Sequence, residues 1–188
     1  MSLNIDYSFI SDLEGGRVLR AYVPNPGGSN SGVTVATGFD LGQRNEADLQ
    51  RLGLSQSLIT KLKPYLSIKS VQAGRFLANN PLTITPMEAE VIDRAVKAGQ
   101  VRQLQSLYAG APNNKNKVAF STLPEEAQTV IASVAFQYGT GLNIKTPGFW
   151  DAVTSQDWKR TVEELRDFKD AYPTRRNKEA DLLERILP

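Results

Sequence analysis

Neither cysteine nor histidine occurs anywhere in the 188 residues of this chain. Without thiols there is no disulfide framework, so the fold must rest on its apolar core, and redox conditions do not fix the compartment. Without either residue a structural zinc site and a histidine-based triad are excluded, and acid–base chemistry falls mainly to carboxylates. The reading therefore assigns no metal and no cofactor. A charge-free apolar run of membrane-spanning length is also missing, which predicts no membrane insertion. The start Met1-Ser2-Leu3-Asn4-Ile5-Asp6 has neither the basic region nor the apolar stretch of a secretory signal, so a target outside the cytoplasm would need another delivery route. Charge of one sign is scarce as well: 22 basic residues oppose 20 acidic ones, giving a net charge of +2 and a pI near 8.8. Interspersed charges of this kind favour an acidic partner only weakly, and cell-wall polymer and nucleic acid both fit. Repeats, low-complexity tracts and linkers are absent from the sequence.

The hydrophobic content is 40%, enough for one good core or two small lobes. Residues 7–14 read as a short helix with Phe9, Ile10 and Leu13 on one side, stopped by Gly15-Gly16, which sets the Glu14 carboxylate at a helix end. Val18, Arg20 and Tyr22 alternate with Leu19 and Ala21 as a strand; residues 24–32 carry turn chemistry, and Val33 to Val35 resume β character, so a β-hairpin with a long tip is predicted. Everything afterwards is helical in pattern. Segments near 45–52, 55–62 and 70–78 precede Thr85-Pro86-Met87-Glu88, a capping box opening a helix through about Leu107, with Met87, Val91, Ala95 and Ala98 as its expected apolar face. A polar loop over 110–117 leads to a helix from about Pro124, whose Ala127, Val130, Ile131 and Val134 should be deeply buried. Shorter helices follow around Phe149, Trp158 and Arg176. The whole predicts a single α+β domain over 1–188, predominantly helical, with a small β-bearing lobe at about 7–84 and a larger helical lobe at about 85–188.

Chemistry-bearing residues stand out in three places. Glu14 lies where a helix end meets a glycine pair and a hairpin, although a carboxylate before a helix-stopping glycine is ordinarily only solvated. The stretch Thr34-Val35-Ala36-Thr37-Gly38-Phe39-Asp40-Leu41-Gly42 ends the hairpin with hydroxyls, a carboxylate and glycines, which suits a cleft wall as well as it suits a plain aspartate turn. Near the C-terminus Thr174 reads as a helix cap, so Arg175 and Arg176 oppose the positive end of the helix dipole at about 0.3–1 kcal/mol each if exposed. Either an anion nearby or a solvated, screened surface accounts for them.

Glu14-Gly15, the strand after it and Thr34-Val35-Ala36-Thr37-Gly38 resemble the phage-lysozyme pattern of catalytic Glu-Gly, hairpin and Thr-Ile-Gly-x-Gly. Phe136-Gln137-Tyr138-Gly139 is similar to the Phe-Gln-x-Gly that ends the buried helix of that family. Gly148-Phe149, Trp158 and Arg175-Arg176-Asn177-Lys178-Glu179-Ala180 follow in the family's order, the last resembling the Arg-Arg-x-x-Glu-Ala of many phage endolysins. The matches cover residues 7–42 and 124–187 and leave about 45–122 without a motif. Within the superfamily, residues 32–42 look most like the muramidase domain of pesticin-type bacteriocins. Phage lysozymes usually place an aspartate between the glutamate and the threonine. Here that interval holds only Asn25 and Asn30, and Phe39 replaces the family's histidine.

The resemblance implies a lysozyme-like fold whose lobes flank a cleft, and an antibacterial, toxin-type muramidase that cleaves the β-1,4 bond between N-acetylmuramic acid and N-acetylglucosamine. It carries the catalytic set onto Glu14, Thr34 and Asp40, with Gln137, Arg175 and Arg176 as supporting or substrate-binding residues, one of the arginines approaching Glu14. It implies inversion, peptidoglycan as partner, action in the periplasm or wall of a target cell, and a cognate immunity protein. For Thr34 and Asp40 to share one water the chain must turn between them, since six extended residues would separate them by about 20 Å; Gly38 is the residue best suited to that turn. Two other classes remain: a non-catalytic wall-binding module, which would tolerate loss of Glu14 or Asp40, and a small nucleic-acid binder suggested by Lys159-Arg160 beside Trp158. The basic residues form no concentrated patch, so nucleic acid is not expected as a partner.

Overall fold

A computed structural model describes residues 3–188. They divide into two compact units, one of Ser11–Val96 and one of Lys97–Pro188 joined by the segment that ends at Ile10. No helix among the described residues is long and apolar enough to cross a membrane.

The chain begins with helix α1, Tyr7–Leu13, and strand β1, Val18–Tyr22. β2, Thr34–Ala36, runs antiparallel to β1 with Val18 opposite Ala36 and Tyr22 opposite Thr34, a register shift falling between the two pairs. The expected hairpin with a long tip is thus present. The sequence reading placed only helices after it, whereas a third strand, β3 at Phe39–Asp40, pairs antiparallel with β2 and completes a sheet of order β1-β2-β3. Two residues carry no visible alternation, which is why β3 escapes a periodicity search.

Helices α2 (Glu46–Arg51), α3 (Gln56–Leu62) and α4 (Ser70–Asn79) follow. Asn45 caps α2 through the Asp48 amide and Ser55 caps α3 through the Leu58 amide, so each helix starts where a short polar side chain can take an orphan N–H. Helix α5, Pro86–Gly110, opens with the predicted capping box: Glu88 N donates to Thr85 Oγ1 at 3.1 Å and Thr85 N to Glu88 Oε2 at 2.7 Å. Its apolar face differs from the expectation. Met87 is 77% exposed and Val91 is exposed too, while the buried positions are Ala89 and Ile92 in one core and Val101, Leu104 and Tyr108 in the other. A single stripe read along its length assumes one core, and α5 serves two. The first core gathers Val33, Val35 and Leu41 with Leu49, Ile59, Leu62 and Ile84.

The second unit is built around α6, Glu125–Tyr138, whose Ala127, Val130, Ile131 and Val134 are fully buried as predicted. Helices α7 (Leu142–Lys145), α8 (Pro147–Thr154), α9 (Trp158–Arg166) and α10 (Pro173–Glu184) complete it. The polar loop before α6 is tied down by Asn114, which is fully buried and bonds Tyr108 O, Val118 O and Val118 N. α10 starts two residues earlier than the threonine cap predicts: Tyr172 is the cap and Pro173 the first helical residue, because proline's fixed φ favours that position over Thr174 capping.

Candidate active site

Glu14 follows the last residue of α1. Its amide donates to Ser11 O at 2.9 Å, the Gly16 amide donates to the same oxygen at 2.8 Å, and Gly15 and Gly16 adopt φ of +100° and +89°. Glycine alone takes these angles without strain, so the pair ends the helix sharply and leaves the Glu14 side chain exposed in the turn.

The turn demanded between Thr34 and Asp40 is present. Ala36, Thr37 and Gly38 link Val35 to its partner Phe39, with φ of 51° at Ala36 and 77° at Gly38, and Thr34 lies directly opposite Asp40. Leu41 N donates to Val33 O at 2.8 Å, which makes Thr34–Asp40 the non-hydrogen-bonded pair, the one whose side chains stand closest on a shared face, with Cα atoms about 4.5 Å apart. Thr34 is buried and its hydroxyl donates to Gly32 O at 3.2 Å, so its oxygen keeps acceptor capacity. Asp40 is half-buried. Its Oδ1 accepts from Gly32 N at 2.9 Å and Gly42 N at 2.8 Å, capping the 3-10 turn Leu41–Gln43 and leaving Oδ2 as the oxygen that can hold a further donor. Gly32 and Gly42 make this cradle possible: a Cβ on Gly32 would lie 2.4 Å from Gly42 Cα and 2.5 Å from Ile68 O.

Glu14, Thr34 and Asp40 therefore belong to one unit, Ser11–Val96, and Gln137, Arg175 and Arg176 to the other. The arginines are not a solvated surface pair. Arg176 is 2% exposed; its Nε donates to Asp170 Oδ2 at 2.8 Å, and its other nitrogens reach Glu179 Oε2 and Gln137 Oε1. Its guanidinium also lies 4.4 Å from the Phe168 ring centre, a cation–π contact. Arg175 donates from Nε to Glu179 Oε1 at 3.1 Å and from Nη2 to Ser133 Oγ at 2.9 Å. The compensating anions are thus Glu179, fully buried, and Asp170. Burial works against the charge on Arg176, yet Glu179 and Asp170 outweigh it and hold the guanidinium above its ordinary value. Burial likewise pushes Asp170 up, but hydrogen bonds from Tyr138, the Tyr172 amide and Arg176 leave its carboxyl below the usual range. Sequence reasoning missed Glu179 and Asp170 as partners. Glu179 carried a usable signal, standing three and four residues after the two arginines on one helix face.

Among the described residues no group of three or more acidic side chains could hold a metal ion. What the Ser11–Val96 unit offers is an exposed Glu14 carboxyl group in a glycine turn and the Asp40 carboxyl beside the Thr34 hydroxyl on one sheet face.

The sequence model of the family described as "Pesticin: Bacterial toxin homologue of phage lysozyme, C-term" matches residues 4–159. The chain belongs to this family. Its α+β architecture, mostly helical with one small antiparallel sheet, is lysozyme-like. The match runs through residues 45–122, where the sequence showed no motif, and stops short of the arginine pair of α10. A search of curated proteins returns no match.

Proposed function

We propose that the chain is a muramidase that hydrolyses the β-1,4 bond between N-acetylmuramic acid and N-acetylglucosamine in the peptidoglycan of a target cell, with inversion. The reading is carried by the cross-strand pair of Thr34 and Asp40, formed by the turn at residues 36–38, in a member of a lysozyme-like toxin family. Glu14 gives its proton to the leaving glycosidic oxygen as the C–O bond breaks. Asp40 Oδ2 takes a proton from water while the Thr34 oxygen accepts the water's other hydrogen, and the water oxygen bonds to the opposite face of the anomeric carbon. One displacement on a β-linked substrate gives an α-configured product. Inverting sites separate their carboxyl groups by roughly 6.5–9.5 Å to admit that water. Gln137 and Arg175 are kept as supporting residues, whereas Arg176 is saturated by Asp170, Glu179 and Gln137 and serves the core that carries them.

The test is release of reducing ends from isolated cell walls by the parent, Glu14→Gln and Asp40→Asn proteins, with proton NMR of the first product. Loss of general acid catalysis is worth about 10²–10⁴-fold, so both variants should be inactive and folded. A Glu14→Gln protein within a factor of about two of the parent contradicts that expectation and removes the assignment. A β-configured first product removes the single displacement, and wall binding without sugar release by the parent makes the protein a binding module.

A further inference from the structure

Asp93 lies in α5, outside the proposed catalytic set, and is 6% exposed. Its carboxylate gathers three donors from two distant segments. Thr37 N reaches Oδ1 at 3.1 Å, and Thr37 Oγ1 and Arg17 Nε each reach Oδ2 at 2.9 Å. The Thr37 hydroxyl, having given its proton to Asp93, accepts from the buried Ser11 Oγ at 2.8 Å. Ser11 in turn supplies the carbonyl that holds the Glu14 and Gly16 amides. Arg17, the residue after the glycine pair, is further held by Glu90 Oε2 at 3.8 Å from its Nη1.

The anchors on either side of Glu14, Ser11 before it and Arg17 after it, therefore end on one carboxylate, Ser11 by way of Thr37. That carboxylate also clamps Thr37, the middle residue of the turn that sets Thr34 opposite Asp40. The turn needs holding. Ala36 sits at φ 51°, a left-handed conformation that side chains with a Cβ rarely adopt and that persists only where surrounding contacts over-determine it. A chelating aspartate that takes both the amide and the hydroxyl of the next residue is such a contact.

We propose that Asp93 is the positioning residue of this site, fixing the Glu14 turn and the Thr34–Asp40 hairpin to one point on α5 and so setting the spacing between acid and base. The proposal rests on the reading of Glu14 and Asp40 as the catalytic pair. A reacting geometry tolerates errors of about half an ångström, and a misplacement of about 1 Å can cost roughly 10²-fold in rate. Asp93 touches no reacting atom, so its loss should act on turnover and not on substrate binding.

The experiment measures kcat and KM on soluble, uncrosslinked glycan strands, together with the folded fraction by circular dichroism at the assay temperature. Asp93→Asn presents an N–H where a donor already points. Thr37→Val keeps the branched shape and removes the hydroxyl, and Thr37→Ser restores the hydroxyl. The expected result is a kcat about 10- to 100-fold down in Asp93→Asn and Thr37→Val at unchanged folded fraction, KM within about threefold, and Thr37→Ser within about threefold of the parent in both. Should Asp93→Asn fail to fold, Thr37→Val and Thr37→Ser decide alone. A folded Thr37→Val protein whose kcat stays within about a factor of two, or whose KM rises as much as its kcat falls, overturns the positioning role while an inactive Glu14→Gln control leaves the catalytic reading standing. An active Glu14→Gln control overturns both.

Discussion

Truncating Glu179 to alanine should destabilise the unit that contains it far more than any surface ion pair could. The carboxylate is fully buried and accepts from Ser133 Oγ at 2.5 Å, from Arg175 Nε at 3.1 Å and from Arg176. Removing one partner of a buried ion pair costs about 3–5 kcal/mol, because the other charge stays buried without compensation. Here Asp170 still holds Arg176 Nε at 2.8 Å, so the low end, about 3 kcal/mol, applies. For a chain of this size each kcal/mol is worth about 2–4 °C, which gives a fall of about 6–12 °C in the midpoint. Both tryptophans, Trp150 and Trp158, belong to the same unit as Glu179, so thermal unfolding followed by tryptophan fluorescence reports on that unit. Glu184→Ala is the internal comparison: its partner Arg166 lies 2.9 Å away on the surface, with the glutamate side chain 46% exposed, and such pairs contribute about 0–1 kcal/mol. The Glu179→Ala shift should also survive high salt, since buried pairs are little screened. A Glu179→Ala midpoint within about 2 °C of the parent, the range of a surface pair, would refute the argument.

Two further outcomes follow from the same reasoning. Gly32→Ala should destabilise by about 1–3 kcal/mol and lower turnover, because the new methyl meets the backbone of Gly42 and Ile68 with no flexible side chain to yield; glycine to alanine at an open site stabilises instead, so a raised unfolding midpoint would show that the Asp40 cradle has room. Acid should weaken the fold through Glu88 and Asp170: burial opposes their charge, but Lys61 and Thr85 for the first, and Tyr138, Tyr172 and Arg176 for the second, leave both below the usual carboxylate range. Their stabilisation is complete above that range and is lost as pH falls through the lowered values, so the urea midpoint should drop below about pH 4, and drop less in Glu88→Gln; equal acid sensitivity in parent and variant would exclude Glu88 as a source.

Elements that announce themselves locally were legible in the sequence. The capping box at Thr85–Glu88 forms with both reciprocal bonds, the segments expected near 45–52 and 55–62 are α2 and α3, and the apolar spacing of α6 marks the helix at the centre of its core. The buried face of α5 was not legible. Periodicity records which residues could share a face, and choosing among faces needs the partner surface, here two different cores for the two ends of one helix.

The candidate site divides along the same line. Once the family resemblance gave Thr34 and Asp40 one water to share, reach required a turn between them, and the chain supplies it at Ala36–Gly38. Nothing local announced Asp93. It is 56 residues from Thr37 and 76 from Arg17, in a helix where a lone aspartate between apolar and charged neighbours reads as part of a solvated face. Its burial becomes tolerable only because three donors converge on it, and convergence of that kind is a property of the folded chain. A family resemblance can transfer the groups that touch substrate, because they sit in short motifs. The groups that hold those motifs at a fixed spacing are contributed by distant sequence, and here the strained turn at Ala36 is the local sign that such a group must exist.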